Sequence, residues 1–378
     1  MRPNRFLHAP HIAVAKPVRL LLFLIITLPF SLKAQNEYYQ SGIKSYNRGE
    51  LTEAVLAFDK AILMDPDHLN AWYYRGFAHF YSNNLSKALR DFKHTLKLDP
   101  NFSGGMMGTG LIHNRNKKYK KGIRWFNKAI KADPLNPDAY NNRGTSYYQL
   151  NDFGRARADY DKAIQLDSTH AQAYNNRGST HYNNQRLAVH DRDIHLAIKD
   201  FTRAIELDPS LEMAWRNRSL AWYNLNEHDK AVADATQALE LNPENAQTYF
   251  YRSRALNSLE NHSKALDDLG IAIKLNPENP LPYIESARAK KELGYYREAE
   301  KDLATAIDLS SAVSGEVYYE WALLNARQDQ KLRMLDYLKK ARKAGYFENK
   351  EHIQKLQSAP DVKDFRSDKD FRQFIKQL

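Results

Sequence analysis

The chain of 378 residues contains no cysteine. That excludes disulfides, thiolate chemistry, cysteine-ligated zinc and lipid attachment through an N-terminal cysteine. It leaves the compartment open, because a helical array needs no disulfide. No apolar run approaches the roughly 20 residues a bilayer span requires; LLLFLIITLPF at 20–30 is about half that. No block rich in lysine and arginine and no paired stacking motif is present, so nucleic acid is not an expected partner. Glycine and proline number only 15 and 14, whereas 43% of residues are hydrophobic and 27% charged, a balance that excludes wholesale disorder.

The segment 1–34 differs from the rest. Arg2, Arg5, Lys16 and Arg19 precede the apolar run, and the small residue Ala34 follows it. This order reads as a secretory signal peptide over 1–34, with an uncleaved anchor or a buried N-terminal helix as the alternatives. An exported protein, periplasmic or extracellular, is expected, with no stable membrane insertion after signal removal. The leader holds five basic and no acidic residues, so a formal charge of +11 falls to +6 without it (11 − 5).

What fills the remainder is one phrase rewritten. AYNNRG occurs at Ala139–Gly144 and again at Ala173–Gly178, a step of 34 along the numbering. Ala54, Phe58, Ala61 and Pro66 recur at the same step as Ala88, Phe92, Thr95 and Pro100, then as Gly122, Phe126, Ala129 and Pro134. The fourth set is Ala156, Tyr160, Ala163 and Ser168. The first three members of each set are spaced i, i+4, i+7, one face of a helix. Upstream, Trp72/Gly76, Tyr140/Gly144 and Tyr174/Gly178 keep a spacing of four. Each repeat therefore predicts two amphipathic helices, with Asp-Pro or its variants turning the chain between repeats.

Trp or Tyr, Gly four places later, Ala at the twentieth place, an aromatic at the twenty-fourth, Ala at the twenty-seventh and Pro at the thirty-second resemble the tetratricopeptide repeat. In that phase the repeats run 35–68, 69–102, 103–136, 137–170, 171–211, 212–245, 246–279 and 280–313. A degenerate ninth covers 314–345 and a helical C-terminal cap 346–378, anchored by Ile353, Leu356, Val362, Phe365, Phe371 and Phe374. The resemblance implies an all-α fold, a right-handed superhelix (α-solenoid) of eight to nine hairpins with first helices lining a concave groove. An ending in AQ before such an array resembles exported proteins of Bacteroidota-type bacteria.

Two stretches depart from the period. Repeat five is seven residues too long, between Gln185–Leu187 and Arg192–Ile194. A lengthened helix and a protruding loop both fit, and the i, i+5 spacing of His190 and His195 opposes a shared metal. Repeat three opens with SGGMMGTG at Ser103–Gly110; with no preceding strand and no Gly-Lys-Ser/Thr it is not a phosphate loop. Its glycines predict a weak helix, at about 0.5–1 kcal/mol each.

By the resemblance, the groove is lined by places two, five, six, nine, twelve and thirteen. Near the N-terminus these are Tyr39, Ile43, Tyr46, Tyr73, Tyr74, Phe77, Phe80 and Tyr81. In the middle they are Asn141, Asn142, Tyr148, Asn175, Asn176, Tyr182, Arg216, Asn217 and Tyr223, and then Tyr251. Arg254, Arg288 and Lys291 make the far end cationic, offset by Glu285 and Glu292. Asn142, Asn176 and Asn217 hold one superimposable place, resembling the asparagine ladder by which some members hold extended peptides; a habitual wording for a solvated helix start is the alternative. Arg143, Arg177, Arg218 and Arg252 follow one place later and are read as structural contacts.

No Ser-His-Asp or HExxH arrangement and no stretch long enough for a catalytic domain remain, so no enzyme activity, metal or cofactor is expected. The function expected is a protein-interaction scaffold binding an extended peptide or partner protein, in envelope or secretion-related assembly. Glycan or cell-wall binding in the same groove, and a regulatory arm of an enzyme complex, are the alternatives.

Overall fold

Ala156, Tyr160 and Ala163 are at most 1% exposed, which puts the recurrent face inside the protein. In the computed structural model, which describes residues 28–183, 191–310, 312 and 314–378, every regular element is helical. The chain divides into two compact halves, residues up to Ala214 and residues from Trp215. Each is an all-α solenoid of tandem hairpins.

The N-terminal half pairs α1 (Leu28–Asn47) with α2 (Leu51–Met64), α3 (Leu69–Tyr81) with α4 (Leu85–Leu98), and α5 (Ser103–Arg115) with α6 (Tyr119–Ala132). It continues with α7 (Pro137–Gln149) and α8 (Phe153–Leu166), then α9 (Ala171–Asn183) and α10 (Asp191–Leu207). The division falls within α11 (Glu212–Asn224), which pairs with α12 (His228–Leu241). There follow α13 (Ala246–Ser258) with α14 (His262–Leu275), α15 (Leu281–Glu292) with α16 (Tyr296–Leu309), and α17 (Ser314–Arg327) with α18 (Lys331–Lys343). The expected leader lies outside the described residues as far as residue 27.

The turns repeat as faithfully as the helices. In every hairpin whose turn is described one residue takes positive φ: Gly49, Asn83, Lys117 and Asn151 at a constant step, then Asn226, Glu260, Gly294 and Asp329. That left-handed residue reverses the chain after the first helix. Between hairpins, Asp65, Asp99, Asp133, Asp167 and Asp208 each accept a backbone N–H from two residues on, at 2.8–3.2 Å. The acids therefore do close local turns.

Packing within a hairpin follows a rule of matched sizes. In repeats one to five the eighth place is glycine and the twenty-fourth an aromatic ring. A Cβ on Gly42, Gly76, Gly110, Gly144 or Gly178 would fall 2.5–2.8 Å from Phe58, Phe92, Phe126, Tyr160 or Phe201. Later repeats carry Ser219 with Ala235, Ser253 with Leu269, and Ala287 with Leu303, all buried. Where the small residue grows, its partner shrinks, as a close-packed interior demands.

The departures from the period resolve locally. α8 begins at Phe153, whose counterpart in the longer fifth repeat is Ile194; α10 begins three residues earlier, at Asp191. The second helix of repeat five is thus 17 residues long against 14 elsewhere in the half, while 184–190, including His190, lie outside the described residues. The glycine-rich α5 is continuous over 13 residues. A Cβ on Gly104 would meet Tyr73 at 2.6 Å, and one on Gly108 would meet Phe92 at 2.6 Å, so large neighbouring rings occupy the missing side-chain space. Past α18, a short 3-10 turn (Tyr346–Glu348), α19 (Lys350–Ser358), a second 3-10 stretch (Pro360–Phe365) and α20 (Lys369–Lys376) fold back. Phe347, Leu356, Val362, Phe371 and Phe374 join Tyr319, Met334 and Leu338 in one apolar cluster.

Candidate functional site

The first helices of the N-terminal half present an aromatic surface at one end and an amide surface further on. Tyr39, Tyr73 and Tyr74 approach one another on α1 and α3, with ring centroids 6.2 Å apart for Tyr39–Tyr74 and 5.3 Å for Tyr73–Tyr74. Tyr73 also meets Phe102 edge-on at 5.2 Å and Phe77 at 5.0 Å. Tyr73 and Tyr46 are buried, Tyr39, Ile43, Tyr74, Phe77 and Phe80 half-buried, and Tyr81 is exposed.

These rings open onto a cavity of about 650 Å³. Tyr39, Ile43, Tyr73, Tyr74, Phe102 and Met107 form its apolar walls. Gln40, Asn70, Asn101, Ser103 and Asn136 add polar groups, and Asp99 and Asp133 add charge. Phe102, Ser103 and Asn136 were not anticipated as lining residues, because they stand at the boundaries between repeats rather than on the first-helix face. Burial raises the ionisation of the Tyr39 and Tyr73 hydroxyls well above the ordinary range, so both stay neutral donors at any physiological pH.

The asparagines divide into two roles. Asn141 and Asn175 are buried, at 5% and 2% exposure, and belong to the interior of the stack. Asn176 donates to Asn141 Oδ1 at 2.9 Å and accepts from Asn175 at 3.3 Å, so part of the series is spent on itself. Asn142 is half-buried, and its side-chain amide bonds no described residue. Tyr148 packs edge-on against Phe153, and Tyr182 is half-buried.

In the C-terminal half, Arg216 donates to Gln247 at 3.2 Å, and Gln247 to the Tyr251 hydroxyl at 2.6 Å. Arg254 lies over the Tyr223 ring at 4.3 Å, and Asn217 is half-buried with partners of its own. The expected cationic end is neutralised from within. Arg288 meets Glu285, Glu316 and Glu320 at 2.6–2.8 Å. Lys291 meets Asp361 at 2.5 Å, and Arg327 joins Asp361 to Glu292. Burial alone would raise the Glu320 carboxyl, but Arg288 and Lys291 hold it below its ordinary value. Asp361 lies 70 residues beyond Lys291, a distance over which no repeat pattern pairs charges.

The arginines at the seventh place do more than touch local acids. Arg75, Arg143, Arg177, Arg218 and Arg252 each grip the aspartate of their own second helix (Asp91, Asp159, Asp200, Asp234, Asp268) through paired bonds of 2.6–2.9 Å. Arg75, Arg143, Arg177 and Arg252 spend a further N–H on the preceding repeat, at Asp59, Asn127, Asp161 and Thr236. Each guanidinium also lies 4.4–5.7 Å from the ring three residues before it. These side chains are structural, and the spacing of 16 between Arg and Asp, 23 across the longer fifth repeat, was the signal for them.

Sequence comparison meets this geometry. Models of the tetratricopeptide repeat match residues 69–102, 137–170 and 213–245, and a further TPR repeat model matches 110–151. Tetratricopeptide repeats are thus recognised over these residues. Among solved structures it is similar to a chain of the APC/C hetero-tetramer Cut9–Hcn1, with a TM-score of 0.59 and 18% identity over 69% of this chain. The match covers 48% of that chain, so this protein spans about half its length. It is also similar to PilF of Pseudomonas aeruginosa, with a TM-score of 0.51 and 16% identity over 59% of this chain and 97% of that one. At these identities the likeness shows the fold alone. The chain has no significant match among curated proteins.

Tetratricopeptide arrays generally act as protein–protein interaction scaffolds. Among the described residues no group of three or more His, Asp or Glu could hold a metal ion. Nor is any described helix long and apolar enough to cross a membrane.

Proposed function

We propose that this protein is an exported, periplasmic or extracellular scaffold that binds an extended segment of a partner protein along its first helices, in envelope or secretion-related assembly. The observation that carries the binding reading is the cavity of about 650 Å³, where the half-buried Tyr39 and Tyr74 stand beside Asn70 and Asn101, whose side chains bond no described residue. Rigid aromatic anchors in a desolvated pocket dominate protein interfaces. Asn142, further along the same half, offers donor and acceptor to a peptide backbone. The basic-apolar leader supports export.

The test is site-specific photo-crosslinking in the native cell, from a photoreactive residue at Asn70, which lines the cavity, and at exposed Arg90 on α4 as control. Polypeptide adducts from position 70 but not 90 are expected. Equal adducts from both, or none from 70, would overturn the reading. Tyrosine faces and amides also suit sugars, so titration of the secreted protein with soluble peptidoglycan fragments tests the second reading, glycan binding. Fractionation for the mature chain tests export.

A further inference from the structure

The charge lining the cavity runs against the composition of the chain. Lys and Arg outnumber Asp and Glu by 56 to 45, yet the lining holds Asp99 and Asp133 and no lysine or arginine. Each carboxylate uses Oδ1 to close its turn, on Asn101 N–H at 2.9 Å and on Leu135 N–H at 3.2 Å. Neither makes an ion pair with a described residue, so the second oxygen of each is unspent. The ends of α4 and α6 meet the starts of α5 and α7 here, so the partial charges of helix termini offset one another. The two carboxylates decide the sign.

Among the described residues the rings carry no lysine or arginine either, although Tyr39 meets His68 at 4.7 Å and Tyr74 stacks on Phe58 at 6.1 Å. Elsewhere the chain lays its own guanidinium groups over tyrosines: Arg143 over Tyr140 at 5.6 Å, Arg177 over Tyr174 at 5.4 Å, Arg254 over Tyr223 at 4.3 Å. Tyr39, Tyr73 and Tyr74 receive no cation from a described residue. Tyr73 is 8% exposed, and its hydroxyl bonds no described residue although it lines the cavity. The walls therefore suit an alkyl stem and a planar or ammonium head, and the rim supplies the counter-charge.

We infer that the cavity takes an arginine or lysine side chain, flanked by apolar residues, from an extended partner segment. This rests on the groove-binding reading above and gives it a sign: the partner is basic at this site, although the whole chain is itself basic. An acidic segment would place its carboxylates against Asp99 and Asp133 and is disfavoured by like-charge repulsion.

The probe is a bead-bound library of seven-residue peptides, every position randomised, presented to the intact protein. Retained peptides should be enriched at least threefold in arginine and lysine. The Asp99→Asn/Asp133→Asn protein should lose that enrichment while Glu53→Gln, at an exposed carboxylate on α2, keeps it. Asparagine preserves the turn acceptor, and far-UV circular dichroism with melting checks the fold. A retained peptide with its arginine replaced by citrulline, isosteric but uncharged, should bind at least tenfold more weakly, which tests the same point without altering the protein. Binding of the arginine peptide should weaken between 50 and 300 mM salt. Enrichment in acidic residues, no charge preference, or equal affinity for the citrulline peptide overturns the inference and leaves groove binding standing. Retention of no peptide overturns both.

Discussion

Arg143 holds Asp159 through two parallel hydrogen bonds, 2.8 Å from Nε and 2.6 Å from Nη2, and reaches back to Asn127 of the preceding repeat at 2.7 Å. One side chain thus joins three helices, α7, α8 and α6. Asp159 is 6% exposed, and removing it leaves a guanidinium without its chief partner. Asp159→Ala should destabilise the N-terminal half by about 2–3 kcal/mol, less than a fully buried pair because Arg143 is about a fifth exposed. Asn127→Ala should cost under about 1 kcal/mol, since its bond is exposed. Urea unfolding of both variants checks the order.

The matched sizes at Gly144 and Tyr160 predict a coupled pair. Gly144→Ser puts Cβ 2.8 Å from the ring and should cost about 1–3 kcal/mol. Tyr160→Ala empties the core and should cost about 3–5 kcal/mol. Together they recreate Ser219 with Ala235, where the serine donates to Ala231 O at 2.7 Å. The double variant should therefore be more stable than the sum of the singles by at least about 1 kcal/mol, a coupling a double-mutant cycle reads directly.

Lys117 adopts φ +57° in the turn between α5 and α6, where Gly49 serves the first hairpin. A left-handed non-glycine residue costs about 1–2 kcal/mol, only part of which glycine returns through greater freedom in the unfolded chain. Lys117→Gly should raise stability by about 0.5–1 kcal/mol, and Glu260→Gly should do the same in its own half. A lower melting temperature for either would contradict this.

Burial lowers the ionisation of His68, His79, His113 and His181, all in the N-terminal half. A histidine depressed in the folded state binds its proton more readily when unfolded, so stability is present at neutral pH and is lost as pH falls below the ordinary value of 6.5. His79 sharpens the effect, because its buried Nδ1 has no acceptor waiting for a second N–H. Hydrogen exchange, corrected for intrinsic rates, should show the N-terminal half opening more readily at pH 5.5 than at 7.5. His79→Gln should flatten the dependence.

Much of the fold was legible because one apolar face returns at a fixed interval, and helices joined by short turns can satisfy it only by stacking. The tyrosines at 39, 73 and 74 were legible by the same phase. Phe102 and Asn136 were not, since the cavity also borrows the turns between repeats, where the first-helix periodicity says nothing. The burial of Asn141 and Asn175 escaped for a different reason: a helical place is half inward and half outward, and only neighbours decide which side an amide takes. The neutralised far end depended on Asp361, supplied by a segment with no period at all. The rings of Tyr73, Phe92 and Phe102, which fill the space beside the glycines of Ser103–Gly110, come from outside that stretch and were not legible in it.

The small residue at the eighth place and its large or reduced partner at the twenty-fourth always belong to the same hairpin. A recombination joint placed between hairpins therefore never separates them, whereas one placed between the two helices of a hairpin always does. Evolutionary gain or loss of whole modules keeps every such pair whole, and exchange of single helices between the early and late repeats would bring ring against hydroxymethyl or leave a void.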